Sequence, residues 1–478
     1  MELKIDHKIV LPASKSESNR ALIIQALAYH QTGTIITLHN LSEAADTVIL
    51  KNIVDFLAIE KNNLELNAED AGTAYRFLTA YLAITNQKCL LTGSARMQER
   101  PIGILVEALR TLGADIAYVG KEGYPPLQIN GFKQLAYQIN VQADVSSQYI
   151  SALLLIAPLL PMGLALHLVG KISSKPYIEM TIQQMTHFGI VIKADWEAQT
   201  FYIAPQNYQQ ASYTIESDWS AASYWYSAMA LLTPDFCTNV RELRRGKVVG
   251  KMNLLLKGLR ADSLQGDKCL VNLMPYWSVQ SKFTNEGVVL NNQSPILPPN
   301  YHLDFLNCPD LAQTIITLIA NYIPAMGPWQ VRYPHPPLPW SVQYPAPTKA
   351  RLAKSWSFSG LESLRIKETD RIIALKNELA KLGTEFYLKK TTAQGEIWGL
   401  KKIEGFVLEE PVSIKTYRDH RMAMSFAPLA LIQKIIVQNP EVVQKSYPNF
   451  WQEWGKFQVC VKEKKLIKIR ATNSKIIL

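Results

Sequence analysis

Three stretches of the sequence share one pattern, in which a helical stretch ends at an apolar residue and glycine and two short strands joined by a turn follow. The helical stretches cover residues 105–112, 180–188 and 372–382, and the glycines are Gly113, Gly189 and Gly383. Glycine there supplies the left-handed C-cap that lets a chain leave a helix directly into a strand. The alternation of the residues that follow, as in 116–119, fits a half-buried hairpin.

The position of these stretches limits the architecture. They occur on both sides of the middle of the chain, so we predict two domains built from copies of one helix-plus-hairpin unit. A helix followed by glycine and a strand is also common in any α/β protein, and unrelated units are the alternative. Length agrees with two domains, because 478 residues exceed what one ordinary hydrophobic core holds.

One apolar segment raises the question of a membrane. Residues 150–169 contain no acidic side chain, lysine or arginine and are long enough to cross a bilayer. Pro158, Pro161 and Gly163 interrupt the segment midway. We therefore predict a buried helix, a turn and a buried strand, with a membrane span as the alternative.

The net charge of +10 requires an anionic partner, and nucleic acid, a membrane surface or small phosphorylated metabolites all qualify. The cysteines form no CxxC pair and no cluster with histidine: Cys89, Cys237, Cys269, Cys308 and Cys460. Their separation argues against a disulfide framework and a zinc site and suits a reducing cytoplasm. The N-terminal residues show no long apolar stretch, so we expect no signal peptide.

Two segments stand apart from the repeated pattern. Residues 323–347 are dense in proline and aromatic residues, which predicts an extended surface excursion, with a polyproline ligand for a partner as the alternative. Residues 241–251 are basic but lack the interleaved aromatic residues of a nucleic-acid stacking platform. A solvated loop or helix face is therefore the better interpretation of that stretch.

Five regions place cations and hydroxyl groups beside residues that start helices. They are 12–20 (PASKSESNR), 70–76 (DAGTAYR), 96–103 (RMQERPIG), 145–149 (VSSQY) with 173–178 (SSKPYI), and 365–371 (RIKETDR) with 417–424 (YRDHRMAM) and Lys445. A helix N-terminus beside lysine or arginine forms an anion site, although each region alone also fits a capped surface helix. Together they predict a cleft that holds small anions from both domains. A nucleic-acid groove would show denser basic runs.

Eight motifs, which include these regions and residues 307–314, together resemble one enzyme family in its order along the chain: LPASKSESNRAL, EDAGTAYRFLTA, LTGSARMQERPIG, VSSQYISALLL, SSKPYIEMT, NCPDLAQT, RIKETDR and DHRMAMSFAPLAL. The sequence is similar to the 5-enolpyruvylshikimate-3-phosphate synthase family. Its sister family, the UDP-N-acetylglucosamine enolpyruvyl transferases, is expected to carry Lys-Asn where Lys15-Ser16 stands and a reactive cysteine in a mobile loop. The sequence matches neither feature.

The resemblance implies an α+β fold of two domains, each made of repeated helix-plus-sheet units in which small mixed sheets enclose the helices. Residues 1–14 with 217–478 are expected to form one domain and residues 15–216 the other, with the active site in the cleft between them. We expect a monomer whose ligand-free form is open and closes when anions bridge the cationic walls.

The resemblance also implies two substrates, shikimate 3-phosphate and phosphoenolpyruvate. The residues implied for shikimate 3-phosphate are Lys15, Ser16, Arg20, Ser146, Ser147, Gln148, Ser174, Tyr177, Asp310 and Lys367. Those implied for phosphoenolpyruvate are Lys15, Gly72, Arg100, Gln148, Arg371, Arg421 and Lys445. Of the catalytic residues, Asp310 is implied as the base toward the hydroxyl, Glu368 as the proton donor to the methylene carbon, and Lys15 as the aid to the departing phosphate.

The substrates' charge agrees with these residues, because together they carry roughly −5 to −6 at pH 7. Lysine and arginine can neutralise that charge, so we expect no metal and no cofactor. Transfer to a nucleotide sugar and a weak paralogue that only binds phosphorylated metabolites are the alternatives. For His420 an acid–base role competes with a packing role, and Asp218 and Asp419 fit helix caps.

Three positions differ from the family pattern. Asp70 replaces the usual Asn, Phe77 the usual Pro, and Ser363 the usual Asn contact to substrate. A carboxylate at position 70 would oppose an anion near Gly72 unless a neighbouring cation pairs with it. The three residues therefore bear on catalytic strength and on sensitivity to inhibitors that mimic phosphoenolpyruvate.

Overall fold

A computed structural model describes residues 5–60, 64–233, 252–293, 301–322, 356–463 and 476–477. The proline-rich segment 323–347 and the basic stretch 241–251 lie outside the described residues, so the predictions for them stay predictions. The α-helices of the described residues are α1 (Lys15–Thr32), α2 (Ala45–Leu57), α3 (Gly72–Ile84), α4 (Ala95–Gln98), α5 (Gly103–Leu112), α6 (Ser147–Ile156), α7 (Lys175–His187), α8 (Trp219–Leu231), α9 (Leu270–Leu273), α10 (Ala312–Tyr322), α11 (Arg371–Ala380), α12 (His420–Phe426) and α13 (Phe450–Glu463).

The strands are short. They are β1 (His7–Val10), β2 (Thr37–His39), β3 (Leu64–Asn67), β4 (Cys89–Thr92), β5 (Ala114–Tyr118), β6 (Leu127–Phe132), β7 (Gln138–Gln142), β8 (Leu164–Val169), β9 (Lys193–Asp195), β10 (Thr200–Ile203), β11 (Ser212–Thr214), β12 (Asn253–Lys257), β13 (Val279–Thr284), β14 (Gly287–Asn292), β15 (His302–Asp304), β16 (Ser357–Ser359), β17 (Thr384–Thr392), β18 (Gly395–Lys402), β19 (Val412–Ile414), β20 (Ile435–Val437) and β21 (Ile476–Ile477).

Four of the sheets repeat one topology. Their strand orders are β1-β12-β14-β13, β3-β4-β6-β5, β7-β8-β10-β9 and β15-β16-β18-β17. In each sheet the first pair is parallel and the other pairs are antiparallel, so the last two strands form a hairpin. The other two sheets of the described residues are smaller: β2 with β11, and β19-β20-β21. The predicted repetition is confirmed, and the fold is α+β with helices enclosed by small mixed sheets.

The glycines that reveal three of these units adopt the predicted conformation. Gly113 has φ 114°, Gly189 has φ 84° and Gly383 has φ 71°, and a hairpin follows each of them. In the fourth unit Ser278 takes this position, with φ 65°, directly before β13. Serine adopts this conformation far less readily than glycine, which is why the sequence pattern shows three units and the structure four.

Two hydrophobic cores divide the described residues. The first core contains Ala13 and buried residues up to Ile215. The second core contains Ile9, Leu11 and buried residues from Trp219 onward. The chain changes core twice, at two adjacent crossing segments that are joined by a bridge between Ala13 and Ser217. The predicted domain boundaries, 1–14 with 217–478 and 15–216, stay a prediction that these cores support.

The apolar segment 150–169 follows the predicted course. Helix α6 ends at Ile156, a single 3₁₀ turn covers Ala157–Leu159, and β8 begins at Leu164 in the middle of its sheet. Within the part of the chain that the structure describes, no helix is both long and apolar enough to cross a membrane.

A pair of buried glutamates lies at the crossing segments. Glu17, which is fully buried, accepts hydrogen bonds from Tyr213 Oη at 3.2 Å, Gln265 Nε2 at 3.1 Å and the Glu216 amide at 3.2 Å. The Gln265 amide also donates to Glu216 Oε2 at 3.1 Å, so it joins the two carboxyl groups. Burial, and secondly the charge of Glu216, raise the pKa of Glu17 to about 7.

This pKa makes a prediction about stability. The carboxyl of Glu17 has an ordinary pKa of 4.5 when exposed, so between pH 4.5 and about 7 the folded chain binds more protons than the unfolded chain. The free energy of unfolding should therefore fall as pH rises through that window, by about 3 kcal/mol for this group. Urea titrations at pH 5 and pH 8 measure it, and Glu17→Gln should remove this share of the fall.

Glu179, whose side chain is 46% exposed, supplies the control. Glu179→Gln should show the same dependence of stability on pH as the parent chain. If the Glu17→Gln chain lost as much stability between the two pH values as the parent, Glu17 would not be the group that titrates.

Candidate active site

The structure gathers the predicted residues at one cavity. The cavity lies between the two cores and holds about 1140 Å³ of unfilled space, part of it open to solvent. All predicted site residues line it except Lys445: Lys15, Ser16, Arg20, Gly72, Arg100, Ser146, Ser147, Gln148, Ser174, Tyr177, Asp310, Lys367, Glu368, Arg371 and Arg421. We call the lining residues of 15–177 the first wall and those of 218–446 the second wall.

Helix starts position much of the first wall. Ser14 caps α1 by accepting from the Glu17 amide at 3.4 Å, which places Lys15 at the first position of the helix. Ser146 caps α6 in the same way by accepting from the Gln148 amide at 3.3 Å. The first residues of both helices line the cavity, and the N-terminus of a helix favours a negative charge.

Arg20 belongs to the first wall and is 1% exposed. Its guanidinium donates to Thr181 Oγ1 at 2.7 Å and to Ser151 Oγ at 3.1 Å. It also donates to the main-chain oxygens of Ser16 at 2.9 Å and Tyr177 at 3.2 Å. Every one of these acceptors is neutral, and burial lowers the pKa of Arg20 to about 10. A buried cation held only by neutral acceptors is prepared to bind an anion.

Gly72, Arg76 and Arg100 lie together in the first wall. Arg76 donates to Gly72 O at 2.8 Å and to Pro101 O at 3.2 Å. These bonds tie the start of α3 to the residue that follows Arg100. Arg100 packs so closely on Gly72 that an added Cβ there would overlap its guanidinium. Among the described residues the Arg100 guanidinium makes no hydrogen bond and no ion pair. Burial, and secondly the charge of Arg76, lower its pKa to about 10.

The second wall is organised around Arg371. Its guanidinium pairs with Asp419 at 2.7 Å, Glu368 at 2.8 Å and Asp310 at 3.3 Å. Arg421 pairs with the other oxygen of Asp310 at 2.8 Å. Asp419 caps α12 as predicted, because it also accepts from the Arg421 amide at 2.9 Å.

These cations keep the two predicted catalytic carboxyl groups ionised. Burial alone would raise the pKa of Asp310, but Arg421, Lys367 and Arg371 hold it well below its usual range. Burial likewise opposes the charge of Glu368, and Arg371, Lys445 and Arg100 together hold its pKa well below its ordinary value. Both groups are therefore carboxylates in this arrangement and able to accept protons.

Two other side chains that line the cavity, Lys367 and His420, have lowered pKa values. Burial lowers the pKa of Lys367 to about 8. Burial, and secondly the charge of Lys15, lower the pKa of His420 well below its ordinary value, so its ring is neutral. Neither ring nitrogen of His420 has a hydrogen-bond partner among the described residues. The packing role and the acid–base role considered for His420 both stay open.

The two walls touch each other directly. Tyr177 Oη donates to Asp310 Oδ2 at 3.1 Å, and the Ser174 amide donates to Leu306 O at 2.9 Å. Lys445 donates to the main-chain oxygen of Asp70 at 2.7 Å. The cleft is therefore closed in this structure, and the predicted open form stays a prediction.

Lys445 lies just outside the lining and is connected to it through Asp46. Its ammonium lies 3.6 Å from Asp46 Oδ1 and 3.8 Å from Glu368 Oε1. The other oxygen of Asp46 pairs with Lys15 at 2.9 Å. One carboxylate thus links a cation of the first wall to a cation on the side of the second core.

Sequence reasoning missed several lining residues. They are Asp46, Thr73, Arg76, Ser173, Asp218, Ser220 and Tyr224. Asp218 caps α8 as predicted by accepting from the Ala221 amide at 2.9 Å, but it also faces the cavity. Thr73 and Arg76 lie within the motif 70–76 and Ser173 within 173–178, so their position beside predicted site residues could have identified them. Asp46 carries no such signal.

The three departures from the family pattern have distinct surroundings. The Asp70 carboxylate accepts a hydrogen bond from Ser94 and does not line the cavity. Phe77 is buried, and the Arg20 guanidinium lies 5.4 Å from the centre of its ring, within the range of a cation–π contact. Ser363 lines the cavity.

Two α+β domains that enclose a cation-rich cleft define an enzyme for small, multiply charged anions. The model of one family, EPSP synthase (3-phosphoshikimate 1-carboxyvinyltransferase), matches residues 36–263 and 344–454. A 3-phosphoshikimate 1-carboxyvinyltransferase of Bacteroides fragilis (strain YCH46) is 41% identical over 455 residues, 95% of each chain. That of Idiomarina loihiensis is 32% identical over 477 residues, 94% of this chain and 95% of the other. The chain belongs to the EPSP synthase family.

Solved structures agree on the fold. An EPSP synthase from Acinetobacter baumannii superposes with a TM-score of 0.64 at 18% identity, and the match covers 94% of this chain and 95% of that one. The family match also decides against the UDP-N-acetylglucosamine enolpyruvyl transferases, the sister family considered from the sequence.

Proposed function

We propose that the cavity binds shikimate 3-phosphate and phosphoenolpyruvate side by side and that its residues catalyse enolpyruvyl transfer between them. The chain is an enzyme of the shikimate pathway: it transfers the enolpyruvyl group of phosphoenolpyruvate to the 5-hydroxyl of shikimate 3-phosphate and releases phosphate. The observation that carries the residue-level proposal is Arg100, a buried guanidinium against the Gly72 backbone with no partner among the described residues. Such a group needs an anion.

The cavity carries an excess of positive charge that bound anions would offset. Eight cations line or adjoin the cavity: Lys15, Arg20, Arg76, Arg100, Lys367, Arg371, Arg421 and Lys445. Among the described residues four carboxylates line it, namely Asp46, Asp218, Asp310 and Glu368, and Asp419 adjoins it through Arg371. Eight cations against five carboxylates leave an excess of three positive charges, which offsets about half of the roughly −5 to −6 that the two substrates bring together at pH 7.

The neutral donors point to the binding position of shikimate 3-phosphate. The first wall contains Arg20 and six neutral polar residues, namely Ser16, Ser146, Ser147, Gln148, Ser174 and Tyr177. A hydrogen bond to Thr73 Oγ1 at 2.9 Å orients Gln148. We assign the phosphate of this substrate to these groups and to Lys15. Phosphoenolpyruvate would then lie against Gly72 and Arg100, with Arg371, Arg421 and Lys445 on the opposite side.

In the first half of the reaction Asp310 removes the proton of the substrate hydroxyl, whose oxygen bonds to the enol carbon. The methylene carbon takes a proton from Glu368, and a tetrahedral intermediate results. Glu368 must be protonated for this step. Arg371, Lys445 and Arg100, which lower its pKa, are the cations assigned to phosphoenolpyruvate, so the bound anion offsets their charge and raises that pKa.

In the second half the carbon–oxygen bond to phosphate breaks, and Glu368 as carboxylate takes back a proton from the methyl group. The departing phosphate carries its electron pair toward Lys15 and the arginines. Charges fixed in a closed cleft stabilise this transition state more than water could, because they need no reorganisation.

The test is a phosphate-release assay with both substrates. Release should require shikimate 3-phosphate and phosphoenolpyruvate together, and UDP-N-acetylglucosamine should not replace the first. Calorimetry measures the binding of shikimate 3-phosphate alone and then with phosphoenolpyruvate. Tight binding of both without phosphate release would support the alternative of a protein that only binds phosphorylated metabolites.

We also propose that the chain acts as a monomer in the cytoplasm and that its domains meet at residues 14 and 217. Among the described residues Cys89, Cys269 and Cys308 form no disulfide, which suits a reducing compartment. Small-angle scattering tests the remaining expectation, because both ligands together should reduce the dimensions of the particle and identical dimensions would exclude an open form.

A further inference from the structure

Arg96 joins the two sides of the cleft from a position outside the cavity lining. It lies on α4, and its side chain is 39% exposed. Its Nε donates to the main-chain oxygen of Glu368 at 3.0 Å, and its Nη2 donates to that of Lys367 at 2.9 Å. The acceptors are 272 and 271 positions away in sequence, on the side of the second core.

The third guanidinium nitrogen fixes the orientation of the group. Arg96 Nη1 pairs with Glu99 Oε2 at 2.8 Å, three positions along the chain. The planar fork is thus held by its own side of the cleft and presents two donors to the other. Lysine could not reproduce this geometry, because its single ammonium has no fixed fork.

The two carbonyls that accept these bonds belong to Lys367 and Glu368, which are both proposed site residues. They belong to the extended turn between the 3₁₀ helix Glu362–Ile366 and α11, where Lys367 has φ −82° and ψ −157°. Neither carbonyl accepts a main-chain hydrogen bond from another described residue. Arg96 therefore supplies donors that the turn itself lacks. The side chains of the same two residues line the cavity.

We propose that Arg96 is a positioning residue: when the cleft is closed, its guanidinium holds the main chain of Lys367 and Glu368 and so sets the Glu368 carboxyl against the methylene carbon. The inference rests on the proposed role of Glu368. The bonds cross the cleft, so they form only when the walls meet, and they couple closure to the placement of the proton donor. A displacement of about 1 Å at such a group can cost about a hundredfold in rate.

The chain offers a matched control in Arg110. This arginine is 32% exposed and pairs with Glu107 at 2.8 Å, also three positions away. Its guanidinium donates to the main-chain oxygen of Ile116 at 2.9 and 2.7 Å, within the side of the first core. Arg110 thus repeats the chemistry of Arg96 without crossing the cleft.

Steady-state phosphate release and calorimetry with shikimate 3-phosphate give the first test. Arg96→Ala should lower kcat about tenfold to a hundredfold, the range for loss of charge-assisted hydrogen bonds, while the dissociation constant of shikimate 3-phosphate changes little. Arg96→Lys should recover part of the loss, and Arg110→Ala should keep kcat within about threefold of the parent. Equal kcat for Arg96→Ala and the parent would overturn the proposal.

A second readout separates positioning from a merely structural role. If Arg96 acts through Glu368, adding Arg96→Ala to the Glu368→Gln chain should cost less than about threefold, because residues that act as a unit are not additive. An undiminished loss in that background would overturn the proposal. A parent enzyme without phosphate release would overturn the proposed function with it, whereas an active parent confines any failure to Arg96.

Discussion

Glu368→Gln is expected to lower kcat by a factor of about 10²–10⁴, the usual contribution of general acid–base catalysis. The amide keeps the shape of the side chain and a hydrogen-bonding oxygen for Arg371, which lies 2.8 Å away, but it cannot give or take the proton. Binding of shikimate 3-phosphate should change little, because most residues proposed to hold it belong to the first wall. Phosphate release and calorimetry measure the two effects separately.

Glu378→Gln is the matched control for this substitution. Glu378 lies on α11, is fully buried, and accepts from Tyr417 Oη at 2.7 Å and the Lys415 amide at 3.0 Å. It does not line the cavity, so its replacement should lower stability and leave kcat nearly unchanged. If Glu368→Gln turned over as fast as the parent, another group would have to protonate the methylene carbon.

The features that the sequence predicts well are those decided by near neighbours. Asp218 and Asp419 cap the helices that directly follow them, and Gly113 leaves α5 in the left-handed conformation. A capping bond or a helix end depends on a few adjacent residues, so local sequence contains the information. Ser278 shows the limit: it takes the conformation expected of glycine, because the unit around it imposes a geometry that its own preference does not favour.

The partners of the cations could not be predicted, because tertiary structure decides them. Lys15 pairs with Asp46 at a separation of 31 positions, and Arg371 pairs with Asp310 at 61 and Asp419 at 48. The motifs show which residues carry charge but not which of these charges are already neutralised. Arg100, with no partner among the described residues, and Arg371, with three carboxylate partners, look alike in sequence and differ in how much of their charge the protein already neutralises.

That difference leads to a second large effect, on stability. Arg371→Met should lower the free energy of unfolding by about 3–5 kcal/mol, the usual cost of removing one partner from buried ion pairs. The Arg371 side chain is 2% exposed, and Asp419, one of its three carboxylate partners, is fully buried. Methionine fills a similar space but leaves Asp419 without its guanidinium. Urea unfolding monitored by circular dichroism measures the change.

Arg365→Met distinguishes burial from the mere number of ion pairs. Arg365 also pairs with two carboxylates, Glu396 at 2.8 Å and Asp370 at 3.5 Å, but its side chain is 37% exposed. Exposed pairs contribute at most about 1 kcal/mol, so this variant should remain close to the parent. Asp419→Asn in the Arg371→Met background should restore part of the lost stability, since it removes the unpaired charge. The prediction would be wrong if Arg371→Met and Arg365→Met lost similar stability and Asp419→Asn restored none of it. Groups other than Arg371 would then have to compensate the charge of Asp419.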